Sequence, residues 1–309
     1  MSKIIHISRY LFIIKKLTAT PYSTYNQIEQ YVISKTGSLL VNGQQTSFSK
    51  RTFQRDLRDI RDAFGVDIEY SKAEKGYFIS YKKVDSVNFE RMMEAFEVFN
   101  SLKTTTQDVE KFIHLENRKK QGTEHLYDII QAIKKRFQIK FSYQSLWGDV
   151  DGEITQRTVA PYALKEFKNR WYVLAKDLKD PKDTRVKSFG LDRLTNLEIT
   201  DKNFEYPKDY DVQKRFSDYF GIYNPLNIKP QKIVLLFTEK QLEYVKNLPL
   251  HHSQKVSDDN ELQVELQMCV TFDFVQELLS FGGQVKVLEP QSLIDEIKIA
   301  YKDALQQYK

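Results

Sequence analysis

The spacing of apolar positions changes period several times along the 309 residues, and each change marks a different kind of element. Over residues 4–17, Ile7, Tyr10, Leu11, Ile14 and Leu17 recur at steps of three and four, which predicts a helix with one buried stripe. A second helix is predicted to about residue 35, capped by Ser23 or Thr24, with Tyr25, Ile28, Tyr31 and Val32 inward and Gly37 at its end. Polar residues 38–47, with Asn42-Gly43 among them, read as a loop or small hairpin. Ser47 or Ser49 then caps a third helix with a narrow apolar stripe of Phe53, Leu57, Ile60 and Phe64. Beyond Gly65 the period falls to two over residues 66–71 and 77–81, around turn residues 72–76, which predicts a hairpin.

Helical periodicity returns over residues 86–136, strongest in 89–102 and 124–137, with polar breaks around 104–106 and 117–122. It predicts a connector of the kind that supplies dimer contacts. From residue 138 the segments 139–143, 154–164, 170–176 and 184–191 alternate as strands, with turns at 148–152 and 179–183. They predict a small antiparallel barrel or curled sheet. After a polar, aromatic linker, strand and helix alternate through 232–237, 239–247, 262–270, 272–281, 285–288 and 291–306, an α/β unit. The expected fold class is therefore α+β and multidomain, with segments 1–84, 85–136, 137–201, 202–230 and 231–309. Such a length exceeds what a single core usually sustains.

Charge sharpens this division. Residues 1–83 carry 14 Lys+Arg against 7 Asp+Glu, whereas the rest carry 33 against 35, so the excess of +5 arises entirely in the first segment. A basic segment of that kind attracts a phosphate backbone, although a merely solvated basic face has the same count. The third helix concentrates it: Lys50, Arg51, Gln54, Arg55, Arg58 and Arg61 lie off the apolar stripe, and Lys72 and Lys75 follow in the hairpin turn. Asp56, Asp59 and Asp62 sit three and four residues from these arginines and are expected to pair with and orient them. A basic helix followed by a hairpin suits a major groove, with Lys50, Arg51, Thr52, Gln54, Arg55, Arg58, Lys72 and Lys75 as the DNA-binding candidates.

The remaining composition is that of a globular protein, 41% hydrophobic and 29% charged. The longest apolar runs, such as residues 233–237, are strand-length and too short for a bilayer. No leader pattern opens the sequence, and the single Cys269 fits a reducing compartment, so a cytoplasmic location is expected. Little supports an enzyme, and no cofactor or metal is expected. The adjacent His251-His252 lack metal-ligand spacing, and Gly282-Gly283 is too short for a phosphate cradle. Asp149 and Asp151 belong more readily to a hairpin turn than to a cation site.

Two stretches carry a family resemblance. The run SKRTFQRDLRDIRDAFGVDIEYSKAEKGYFI, within residues 47–79, resembles the winged helix-turn-helix of DeoR-like and WYL-type bacterial regulators, with Thr52, Arg55, Asp56, Leu57, Gly65, Gly76 and Tyr77 in place. Further on, RWYVLAKD followed by RVKSFGLDRL is similar to the signature of the WYL domain, a small Sm-like barrel, with Val173 in place of the eponymous Leu. Gly190 stands where relatives often have a basic residue. The closing FGGQVKVLEPQSLIDEI resembles the ferredoxin-like extension that often follows.

The resemblance implies a sensor of nucleotides or nucleic-acid fragments and carries over Arg157, Tyr172, Lys187 and Arg193 as ligand residues. Strand periodicity adds Arg185, Trp171 and Tyr143, cations and rings that together suit an anionic, ring-containing ligand. Trp171 is as readily a core residue, Tyr143 an ordinary half-buried strand residue, and Arg193 the partner of Asp192. The expected function is a dimeric, duplex-DNA-binding transcriptional regulator with a nucleotide or oligonucleotide effector. The alternative is a nucleic-acid sensor of a defence system whose first segment docks a protein.

Overall fold

The computed structural model describes residues 3–36, 48–80, 91, 94, 95, 98, 121–145, 153–179, 182, 183, 185–225, 228–257 and 261–308. Expectations for residues 37–47, for most of 85–120 and for the 148–152 turn lie outside them. The chain divides into two compact units, 1–116 and 117–309, the first largely helical and the second built on antiparallel sheets.

In the first unit α1 (Lys3–Ala19), α2 (Tyr25–Thr36) and α3 (Lys50–Phe64) precede a hairpin of β1 (Ile68–Ser71) and β2 (Gly76–Ile79). Leu11, Ile14, Leu17, Ile28, Val32, Phe53 and Ile60 close a common core, as the periodicity requires. Ile7, assigned to the buried stripe of α1, is instead 47% exposed, and Phe12 and Ile13 are buried in addition to the expected stripe. Thr24, not Ser23, caps α2: its N–H donates to Gln27 Oε1 at 2.8 Å in a capping-box arrangement. Ser49, not Ser47, caps α3 by accepting from the Thr52 N–H at 3.2 Å, and Gly65 ends it at φ 65°. The hairpin is pinned to the α1–α2 turn. The Tyr77 N–H donates to the Ser23 carbonyl at 2.8 Å, and a Cβ on Gly76 would come within 1.8 Å of the Tyr22 carbonyl oxygen, so only glycine fits there.

One buried ion pair ties α1 to α3. Arg9 meets both oxygens of Asp56 at 2.5 and 2.7 Å, with the two side chains 4% and 0% exposed. The adjacent Tyr10 hydroxyl donates to Asp59 at 2.6 Å. These contacts correct the expectation that the aspartates of α3 pair with its own arginines: Asp56 and Asp59 turn inward to α1, and Arg61 pairs with Asp67 beyond the helix end.

In the second unit a 3-10 turn (Thr123–His125) and α4 (Leu126–Lys135) precede β3 (Phe137–Gln144), β4 (Ile154–Phe167), β5 (Arg170–Asp177), β6 (Val186–Gly190) and β7 (Leu194–Asn203). The sheet order is β6-β5-β4-β3-β7, antiparallel throughout. It is strongly curled. Phe189 of β6 packs edge-on against Tyr143 and Phe141 of β3 at 5.2 and 5.5 Å, although β3 lies three strands away, about 14 Å in a flat sheet. Among the described residues no ladder joins β6 to β7, so the curl stops short of a hydrogen-bonded closure. Helix α4, read in sequence as the end of a connector, buries Ile129 and Ala132 in this core. Strand β7 was not anticipated because most of its residues are exposed and no alternation shows.

The α5 turn (Val212–Phe216) leads to β8 (Gln231–Phe237), α6 (Glu239–Asn247), β9 (Lys255–Val256), β10 (Gln263–Met268), α7 (Phe272–Ser280), β11 (Val285–Glu289) and α8 (Gln291–Gln306). Their sheet order is β11-β8-β10-β9, with Ile233, Leu235, Val264, Leu266 and Phe274 in its core. The two-residue β9 is too short to register as a period. The two sheets of this unit meet where Phe220 stands edge-on between Phe167 of the β4–β5 turn, at 5.5 Å, and Phe274 of α7, at 5.8 Å. Beside it Lys168 pairs with Glu277 at 2.6 Å.

Replacing Asp56 by Ala would leave the Arg9 guanidinium buried and unpaired, which costs about 3–5 kcal/mol. Denaturant unfolding of Asp56→Ala is expected to show a loss of that size in the transition of the first unit. A loss below about 1 kcal/mol would remove the pair from the account of the fold.

Candidate nucleic-acid interface and ligand site

With Asp56 and Asp59 engaged by α1, the outer face of α3 carries an excess of basic groups, with Asp62 exposed among them. Arg51, Gln54, Arg55 and Arg58 follow one another at three- and four-residue steps, all exposed, and the three arginines make no ion pair with the described residues. The inward groups bear the marks of their neighbours. Burial, and then the hydrogen bond to Asp59, push the Tyr10 hydroxyl up to about 12. Burial and Glu29 do the same for Tyr25, also to about 12.

A cleft of about 410 Å³ opens between the starts of α2 and α3 and the hairpin, over the rings of Tyr25, Phe53 and Tyr77, with Lys50 and Lys75 on its rim. Lys50 lies over the Tyr25 ring at 5.7 Å. Gln54 donates to the Tyr77 hydroxyl at 3.4 Å, a contact between helix and hairpin. Lys72 and Lys75 are exposed in the turn, the latter at φ 53°. Thr52 differs from the other candidates: it is half-buried and engaged with Ser49 in the cap, at 3.0 Å between hydroxyls. All eight sequence candidates thus fall on α3 or the hairpin turn, seven of them exposed.

The seven ligand candidates of the second unit separate into two groups. In the first, Asp177 is 2% exposed and takes Arg157 at 3.0 Å and Lys187 at 3.2 Å. Asp183 takes Lys187 at 3.1 Å and Arg185 at 2.8 Å. Burial pushes the Asp177 carboxyl up, but the Lys179 N–H, Lys187 and Arg157 outweigh it and hold it below the usual carboxylate range. These three cations are therefore engaged with carboxylates of the same unit.

The second group lies about three residues along β6, roughly 10 Å away, where Tyr172 is paired with Gly190. The Tyr143 hydroxyl accepts the Gly190 N–H at 3.3 Å, and the Arg193 guanidinium covers the Tyr143 ring at 5.1 Å. Gly190 makes room for this: a Cβ there would meet Asp192 Oδ1 at 2.7 Å and Arg193 at 2.9 Å. Arg193 is folded back over Gly190. Arg170 and Arg193 approach Asp192 only to 3.7 and 3.8 Å, and Asp192 Oδ1 and Arg193 Nε are buried without a hydrogen-bond partner.

Burial raises the Tyr172 hydroxyl, with Arg170 and Arg193 opposing and Asp192 and Asp273 reinforcing. Trp171 packs half-buried against the sheet core, and Tyr143 is buried within it. Arg170, Asp177 and Asp192 were not among the sequence candidates. Arg170 and Asp177 bound the RWYVLAKD run and Asp192 adjoins Arg193 in the other, but only the fold shows that Arg170 approaches Asp192 and that Asp177 meets Arg157 and Lys187. His251 is a structural link, its ring nitrogens 2.7 Å from the Ser217 carbonyl and 2.7 Å from the Ser253 hydroxyl. Among the described residues no cluster of three His, Cys, Asp or Glu is placed to hold a metal, and no helix is long and apolar enough to cross a membrane.

Comparison with known proteins places two domains in this unit. Residues 124–199 match the WYL domain and residues 229–305 the WCX domain, so α4 through most of β7 make up the first and β8 through α8 the second. Among solved structures, the chain is similar to proteasome accessory factor B/C (PafBC) of Arthrobacter aurescens, with 18% identity and a TM-score of 0.36. That match covers 94% of this chain and 46% of that one, so the chain spans under half its length. It is also similar to a CRISPR Cas-related protein, with 14% identity and a TM-score of 0.40, over 98% of this chain and 84% of that one. No curated protein matches.

Because the Asp177 carboxyl is held below its ordinary value of 3.8, its contribution to stability is present above that pH and lost as pH falls through the folded-state value. Acidification from about pH 5 to about pH 3 is expected to lower the unfolding midpoint of the second unit less in Asp177→Asn than in the parent chain. Parallel pH profiles would show that the pairs with Arg157 and Lys187 contribute nothing.

Proposed function

We propose that the chain is a DNA-binding transcriptional regulator, acting as a homodimer in the cytoplasm, without enzymatic turnover. Its first unit is read as a winged helix-turn-helix, with α3 entering the major groove and the β1–β2 turn as the wing. Its WYL domain is read as an Sm-like barrel sensing an anionic, ring-containing ligand such as a nucleotide or short oligonucleotide, and its WCX domain as a ferredoxin-like unit. The observation that carries the DNA reading is the segregation of charge on α3. Two of its three aspartates are drawn inward to Arg9 and Tyr10, and Arg51, Arg55 and Arg58 remain exposed on one face against the single carboxylate of Asp62. Guanidinium groups so placed suit guanine edges and phosphates, and Lys72 and Lys75 suit the flanking backbone.

For the sensor, the cluster of Tyr143, Tyr172, Arg170 and Arg193 supports ligand binding better than that of Arg157, Arg185 and Lys187. Its charges are loosely paired and include buried polar atoms without a hydrogen-bond partner, whereas the other three cations are held by Asp177 and Asp183 at 2.8–3.2 Å. In this reading an incoming phosphate replaces Asp192 as the partner of Arg170 and Arg193, and a base stacks on the exposed part of Tyr172.

Full-length Arg55→Ala and Arg58→Ala are each expected to bind a preferred duplex at least about tenfold more weakly with unaltered unfolding. Arg193→Ala is expected to retain duplex affinity and to lose the response to whichever nucleotide or short single strand alters binding by the parent chain. Unchanged duplex affinity in both α3 variants would sink the assignment of the reading helix.

A further inference from the structure

Asp56 and Asp59 lie three residues apart and project from the same side of α3, toward consecutive residues of α1. The Arg9–Asp56 pair is fully buried and bidentate. The Tyr10–Asp59 bond, at 2.6 Å, is only partly buried, and its ring stands edge-on to Phe64 at 6.5 Å. Together they form a clasp of two directional contacts on successive turns of one helix. The apolar contacts of Phe53 and Ile60 hold α3 against the core through attraction that is not itself directional. Hydrogen bonds add direction, since they weaken steeply with distance and angle.

The residue before each clasped aspartate is an exposed arginine, Arg55 before Asp56 and Arg58 before Asp59. Each arginine is thus about 100° around the helix from a fixed point. A roll of α3 by about 15° would carry a group some 6 Å from the axis through about 1.5 Å. That displacement breaks a bidentate contact to a base edge, whereas a long flexible side chain still reaches a phosphate.

We infer that Tyr10 and Asp59 are positioning residues that fix the rotational setting of α3, and through it sequence discrimination rather than general affinity for DNA. This rests on the DNA-binding reading above. Neither residue touches DNA in that reading, and Tyr10→Phe changes no charge, so the counterion contribution to binding stays as it is.

The test uses the full chain and the duplex it enriches from a random-sequence library, compared with a scrambled duplex over a range of salt concentrations. Tyr10→Phe is expected to lower the ratio of enriched to scrambled affinity about tenfold, with affinity for the scrambled duplex and its salt slope unchanged. Asp59→Asn, whose carbonyl still accepts from the Tyr10 hydroxyl, is expected to restore most of the ratio that Asp59→Ala loses. An unchanged ratio in Tyr10→Phe would overturn the inference, as would an equal fall in both affinities, the mark of a merely destabilised domain. Enrichment of no sequence by the parent chain would overturn the DNA reading itself, and the positioning role with it.

Discussion

The bidentate pair between Arg9 and Asp56 is the contact on which the character of the first unit depends. It is almost wholly out of water, where a lone charge is costly, so each partner requires the other. Its consequence lies on the opposite side of the helix. A helix with Asp at positions 56 and 59 and Arg at 51, 55 and 58 would be nearly neutral if all these groups shared one surface. Drawing the two carboxylates to α1 separates the charges, and the solvent-facing side keeps the arginines. Folding thus concentrates on one face a basic excess that the composition of this segment already carries.

The WYL domain shows the converse arrangement. Asp177 and Asp183 stand among Arg157, Arg185 and Lys187, and that end of the sheet is held together by its own charges. Some three residues away the sheet curls enough for Phe189 to meet Tyr143, and the chain turns at Gly190 so that Arg193 lies over the Tyr143 ring. There the pairings of Asp192 are long, and Asp192 Oδ1 and Arg193 Nε are buried without a hydrogen-bond partner. One cluster is closed by carboxylates of its own chain, and the other is the one to which the proposed reading assigns the ligand. Phe220, in edge contact with Phe167 and Phe274, places α7 of the WCX domain against the same β4–β5 hairpin that supplies Arg170.

Much of the fold was legible because burial writes itself into periodicity. The stripes of α1 and α3 and the strands β3, β4, β5 and β8 are buried or half-buried over a length that a period can reveal, and α6 and α8, largely exposed, still turn Leu242, Val245, Leu293 and Ile297 to the core at helical spacing. Elements that bury little or are very short were not legible: β7 is mostly exposed, and β9 has two residues. Ile7 was misplaced because its spacing fits the stripe, whereas at that level of α1 the buried positions belong to the polar Ser8 and Arg9.

The DNA-binding candidates could be named from local sequence because they follow one another on a single helix and turn. Partners of charged groups could not. Spacing along α3 offered its own arginines to Asp56 and Asp59, whereas the actual partners lie 47 and 49 residues away in sequence. The same holds for Asp177, whose partners Arg157 and Lys187 are 20 and 10 residues away. A pairing of that separation is a property of the folded chain.

The most direct test of the account is a salt titration of nucleic-acid binding by the full chain, comparing an enriched duplex with a single strand of equal length. A basic helix face and turn that engage several phosphates predict preference for the duplex and an affinity falling at least about tenfold between roughly 50 and 200 mM salt. Binding that prefers the single strand, or that hardly changes with salt, would contradict the claim that the surface left by the Arg9–Asp56 pair is a duplex-reading surface.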